Sequence, residues 1–78
     1  MPTILRIGPF RLFFYAGDGN EPAHIHIARD KAVAKFWLDP VMLVSSEDFS
    51  RSDLNRLSKI VVEHRETLLE AWNDFFNA

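Results

Sequence analysis

Glu21-Pro22-Ala23-His24-Ile25-His26-Ile27-Ala28-Arg29 is followed by Asp30-Lys31 and then by Ala32-Val33-Ala34-Lys35-Phe36-Trp37-Leu38. On an extended chain, residues two apart share a face. His24 and His26 therefore stand side by side, and Ile25 and Ile27 point the other way. Asp30-Lys31 reads as a tight turn, so the two runs pair as a hairpin. Arg29 then faces Ala32, Ile27 faces Ala34, Ile25 faces Phe36 and Ala23 faces Leu38. That set is largely apolar and predicts a core face. The opposite set pairs His26 with Lys35 and His24 with Trp37.

Working towards the N-terminus, Gly17 to Pro22 reads as a loop, because Gly, Asp and Asn tolerate positive φ and proline enforces an extended exit. Before it, Thr3–Ile7 and Phe10–Ala16 read as strands joined by Gly8-Pro9. With Ile7 opposite Phe10, Leu5 falls opposite Leu12 and Thr3 opposite Phe14. Towards the C-terminus, Asp39-Pro40 closes the hairpin, and Val41–Val44 is a short fifth strand or an extended segment. Ser50 with Asp53 matches a helix-capping pattern, and Ser52 is the alternative cap. Leu54, Leu57, Ile60, Val61, His64, Leu68, Trp72 and Phe75 then recur at steps of three and four, one apolar stripe of helical period. Arg51 to Ala78 contains no glycine or proline. A single helix of ~26 residues would be ~39 Å long at 1.5 Å per residue. That is long for so small a domain, which makes a bend or break near Glu63–Glu66 the alternative. The expected fold is α+β: a four- to five-stranded antiparallel sheet packed on a long C-terminal helix. It forms a single domain over residues 1–78, with sheet in 1–44 and helix in 50–77.

Composition narrows the function classes. The chain has 78 residues and is 47 % hydrophobic, with seven Phe, two Trp and one Tyr to fill a small core. Cysteine is absent, which removes disulfides and thiolate metal sites and fits a reducing compartment. The N-terminus lacks the basic start and apolar block of a signal peptide, so a cytoplasmic location is expected. Net charge is −2, so a general nucleic-acid footprint is missing. Residues 1–46 hold five Lys/Arg and four Asp/Glu, whereas 47–78 hold four and seven. Any basic surface is therefore local and lies in the first half.

Alternation collects Arg6, Arg11, Lys35, His24, His26, Phe13, Tyr15 and Trp37 on the face away from the core, with no acid among these positions. Rings interleaved with cations suit stacked bases and phosphates. Arg6, Arg11, Lys35, Tyr15 and Trp37 are accordingly the nucleic-acid-binding candidates. The ordinary explanation is a polar solvent-facing sheet surface stabilised by cross-strand aromatic pairs. A third reading is a protein partner that covers the rings. His24 and His26 are candidate catalytic residues for metal-independent RNA cleavage, one imidazole taking a proton and the other giving one beside a cation. As metal ligands they need a third. Asp18, Glu21 and His64 are the candidates, none at a diagnostic spacing, so neither a metal nor another cofactor is expected. A purely structural role, each ring bonded to nearby backbone, is the remaining option. The alternating His24-Ile25-His26-Ile27 differs from the histidine-triad hydrolase pattern, which places a third histidine where this chain has Ala28.

Met1-Pro2-Thr3-Ile4, Gly8-Pro9-Phe10-Arg11, Phe13-Phe14-Tyr15, Glu21-Pro22-Ala23-His24-Ile25-His26, Ala34-Lys35-Phe36-Trp37-Leu38-Asp39-Pro40, His64-Arg65 and Leu68-Leu69-Glu70-Ala71-Trp72 together resemble domain of unknown function family 4160. The resemblance runs in order along essentially the whole chain. It departs at Ala23, where the family usually has a second proline. It implies a small stand-alone prokaryotic protein of uncharacterised activity. It also implies a gene often placed beside a small partner protein, domain of unknown function 2442, in an arrangement similar to a toxin–antitoxin pair. RNA and a second copy of the chain are the other partners considered, and no membrane is expected. The resemblance establishes no catalytic residue.

Overall fold

The computed structural model describes residues 3–77. Met1, Pro2 and Ala78, which belong to the expected opening motif and domain limits, lie outside the described residues. Five strands precede two helices: β1 (Thr3–Ile7), β2 (Phe10–Phe13), β3 (His24–Arg29), β4 (Ala32–Leu38), β5 (Val41–Glu47), α1 (Arg51–Glu63) and α2 (Arg65–Phe76). The strands form one antiparallel sheet in the order β1-β2-β3-β4-β5. Two-residue links join β1 to β2, β3 to β4 and β4 to β5, which only antiparallel neighbours allow, and the longer segment 14–23 joins β2 to β3.

The β3–β4 register follows the period-two reading, with His24 opposite Trp37, Ile25 opposite Phe36, His26 opposite Lys35 and Ile27 opposite Ala34. At its turn Asp30 takes a φ of 54°, a left-handed conformation that Asp tolerates through local side-chain bonding. Gly8 has a φ of 55° at the β1–β2 turn, where glycine carries no Cβ penalty. β1 departs from the expected register. Leu5 pairs with Leu12 as predicted, but an irregularity then sets Thr3 opposite Phe13 rather than Phe14. β2 is also shorter than the expected Phe10–Ala16, ending at Phe13. The chain then turns into a 3-10 helix, Ala16–Asn20, where an unstructured loop was expected. β5 runs to Glu47, beyond the expected Val44, and carries a bulge: Lys35 pairs with Ser45 and Phe36 with Leu43, leaving Val44 as the extra residue.

The core is built from Phe10, Leu12, Phe14, Ile25, Ile27, Ala34, Phe36 and Leu38 of the sheet half, with Leu57, Val61, Leu68 and Trp72 of the helices. The long helix is replaced by two that meet at His64, whose φ of −103° and ψ of 12° leave the helical basin. The longest dimension of the molecule is 35 Å, less than one uninterrupted helix of ~39 Å would need. Two shorter helices keep both halves of the apolar stripe over the sheet. Arg65 ties the junction down. Its Nε donates to the Leu38 carbonyl at 2.7 Å, and its guanidinium meets Asp39 at 2.9 Å. Ser50 caps α1 as expected, accepting from the Asp53 backbone N–H at 3.0 Å. Asp53 in turn receives Arg29 at 2.9 Å, which joins α1 to the end of β3. Among the described residues, no helix is long and apolar enough to cross a membrane.

Candidate functional site

The alternation that makes β3 also builds the site. His24 and His26 fall on one side of the strand, with ring centroids 5.1 Å apart. What the strand pattern does not show is the turn that closes over them. Asp18 sits in the Ala16–Asn20 helix, where its Oδ2 accepts the Tyr15 backbone N–H at 2.9 Å and its own backbone N–H donates to the Tyr15 carbonyl at 3.1 Å. This double tie fixes the carboxylate above β3. The same Oδ2 lies 3.1 Å from His24 Nε2 and 3.1 Å from His26 Nε2.

The two imidazoles are held differently. His24 Nδ1 lies 2.9 Å from the Pro22 carbonyl. A carbonyl only accepts, so Nδ1 carries the hydrogen. In the neutral ring, Nε2 is then a bare lone pair. It is buried and makes no hydrogen bond despite its closeness to Asp18. His26 Nε2 is hydrogen-bonded to Asp18 at 3.1 Å. Its ring stacks on Phe13 at 5.5 Å and meets the edge of Tyr15 at 4.7 Å.

Burial separates the pair further. His24 is completely buried, with Trp37 at 5.8 Å and Trp72 at 5.0 Å. The His26 side chain retains 18 % exposure. Trp72 of α2 also packs on Phe14 at 5.1 Å and on Phe76 at 4.3 Å, so the C-terminal helix seals one side of His24. Of the two imidazoles considered for acid–base work, only His26 reaches solvent. Burial pulls the His26 pKa below its ordinary value and prevails over the opposing pull of Asp18. Burial pushes the Asp18 pKa up, but the Tyr15 N–H and the two imidazoles outweigh it, and the carboxyl ends below its ordinary value.

The nucleic-acid candidates do share a side by register. Arg6 pairs with Arg11, Phe13 with His26, His26 with Lys35, and His24 with Trp37. The expected freedom from acids does not hold. Lys35 Nζ meets Glu21 at 2.6 Å and lies 4.9 Å from the Trp37 ring centre. Glu47 pairs with Val33, in the row that continues from Arg11. Arg11 lies over the Phe13 ring at 4.4 Å. Tyr15 is exposed, and it lines a groove with Phe13, His26, Lys35, Ser45 and Glu47. Of the three residues considered as a third ligand, Asp18 joins the histidines and Glu21 is engaged with Lys35. His64 stands at the α1–α2 junction.

The family model for a domain of unknown function, DUF4160, matches residues 10–73, well over half of the chain. The chain belongs to the DUF4160 family. The match begins at Phe10, so Asp18, His24, His26 and Trp72 of this DUF4160 chain all lie within it. No curated protein matches the chain, and no solved structure matches it.

Proposed function

We propose that this DUF4160 chain is a protein-docking module, one component of a two-gene, toxin–antitoxin-like pair, and that it offers the β5 edge to a small partner protein. The observation that carries the reading is the run Met42-Leu43-Val44, exposed by 55 %, 41 % and 39 % on consecutive residues of an edge strand. Among the described residues, no strand pairs with the outer side of β5. Unpaired backbone groups along an edge are a template for an added strand, and chains usually guard them with lysine or proline. β5 contains neither, although the bulge at Val44 interrupts its ladder. A strand added to such an edge gains main-chain hydrogen bonds, and side-chain contacts select the partner. The partner implied by the family resemblance, a small protein of the domain of unknown function 2442 type, is the first to test.

Co-expression with the neighbouring gene product tests this directly, scored for co-purification and for growth arrest with and without the partner. Leu43→Lys and Val44→Pro are expected to abolish the complex, and His26→Ala to leave it intact. Complex formation unchanged in both β5 variants overturns the docking edge. Assembly of the chain with itself through β5 would replace the partner by a second copy.

A second reading places RNA on the Arg6 and Arg11 row. Two arginines directly opposite each other beside Phe13 favour it, while Glu21 and Glu47 reduce the positive field of the face. Salt-sensitive RNA binding that falls in Arg6→Ala and Arg11→Ala would support it. Cleavage that depends on His26 would make the chain a ribonuclease.

A further inference from the structure

We infer that Asp18, His24 and His26 form a binding site for one divalent transition-metal ion, with zinc as the reference ion. The inference is independent of the docking edge. Three donor atoms converge, one from each residue, and all lie within 4.8 Å of one another. Tetrahedral zinc with bonds of about 2.0–2.1 Å holds its ligand atoms about 3.3 Å apart. The Asp18 oxygen stands 3.1 Å from both imidazole nitrogens, so those two edges already match, while the widest pair of the set, up to 4.8 Å apart, must draw in to admit the ion.

His24 Nε2 is the second, independent observation. It belongs to a fully buried ring, has no hydrogen-bond partner, and lies 3.1 Å from a carboxylate oxygen. A buried acceptor without a donor is unfavourable, and burial denies it water. A cation between the two atoms turns that contact into two bonds. The other nitrogen of the ring donates to the Pro22 carbonyl, the outer contact that orients a metal-ligating histidine and selects Nε2 as the donor.

The ligand set also fixes the class of ion. Two imidazoles and one carboxylate, with no thiolate, suit zinc and the late first-row divalent ions and are poor for calcium or magnesium, which take oxygen shells. Three protein ligands leave at least one position open. His26 and Tyr15 line the groove on the outer face, so water or a small anionic ligand would enter from that side.

The test uses the full chain stripped with a chelator and then titrated with zinc by calorimetry. One equivalent is expected to bind. Asp18→Asn and His26→Ala are expected to weaken binding by more than about 100-fold, beyond what loss of an outer-sphere partner costs. Glu21→Gln, which breaks only the Lys35 pair, is expected to bind as the parent does. His24→Ala opens the core, so it is not the deciding variant. If the other variants fail to fold, nitrogen-resolved NMR of labelled histidine in the parent chain decides: zinc must move Nε2 of His24 and His26 and leave His64 in place. Absence of saturable zinc binding, or binding unchanged in folded Asp18→Asn and His26→Ala, overturns the site.

Discussion

His24 Nε2 approaches the Asp18 carboxylate to 3.1 Å without a hydrogen bond between them. The Pro22 carbonyl already claims the hydrogen on Nδ1. Two near neighbours are thus left with mismatched chemistry, held together by the fold on both sides. Trp72 closes over the histidine, and the Tyr15 backbone anchors the aspartate.

Acid should destabilise the domain in two windows. The His26 pKa is lowered by burial from 6.5, so the unfolded chain takes up a proton before the folded one does. The stability contributed by neutral His26 is complete above pH 6.5 and is lost as pH falls towards its folded value. Asp18, lowered from 3.8, contributes stability that is complete above that pH and is lost as pH falls below it. Urea midpoints measured against pH should fall in both ranges, and His26→Gln should flatten the upper one. An unchanged slope in that variant would assign the upper window to another group.

Gly19 should tolerate no side chain while Phe76 is present. A Cβ there would lie 2.8 Å from Phe76 Cδ1, so Gly19→Ala must displace the ring or the turn that carries Asp18. Its cost is expected at about 1–3 kcal/mol, the range for overpacking. In a Phe76→Ala background the same change should cost much less. A double-mutant cycle in chemical denaturation measures the difference.

Trp72→Ala should be among the most damaging single changes, at about 3–5 kcal/mol for a buried aromatic. The indole is 6 % exposed and contacts Phe14, Phe76 and His24. Beyond the loss of stability, this variant should expose His24 to solvent. Faster modification of His24 by diethylpyrocarbonate, mapped by mass spectrometry, would report it. Phe75→Ala, at an exposed position, should cost far less.

Arg65→Ala should separate the helix junction from the sheet. It removes the donor to the Leu38 carbonyl and the ion pair with Asp39. The expected loss is about 1–3 kcal/mol, mostly from the carbonyl left without its partner. Glu66→Ala breaks only a long, exposed contact of 3.5 Å with the same guanidinium, and should stay within about 0.5 kcal/mol. Thermal denaturation of the two variants should rank them in that order.

The sheet was legible wherever alternation was clean. The core-facing pairs Ile25–Phe36 and Ile27–Ala34 are apolar on both strands, and a slip of one residue would turn the set to solvent. β1 was misread at Thr3 because a bulge leaves no mark in a period-two pattern. The helix break at His64 was visible only as a length problem, since the apolar stripe continues through it without a glycine or proline.

Residue pattern alone determined the first four strands, the placing of His24 and His26 on one face, and the start of the first helix, and left the fifth strand open. These depend on periods of two and 3.6 residues and on local hydrogen bonding, all written along the chain. Tertiary structure decided which histidine is buried, which acid joins the pair and which cation is neutralised. Asp18, Glu21 and His64 looked equivalent as third ligands, because the distance between side chains from different segments is set by how a turn and a helix pack. The Ala16–Asn20 turn brought Asp18 to the pair, Lys35 took Glu21, and Trp72 enclosed His24.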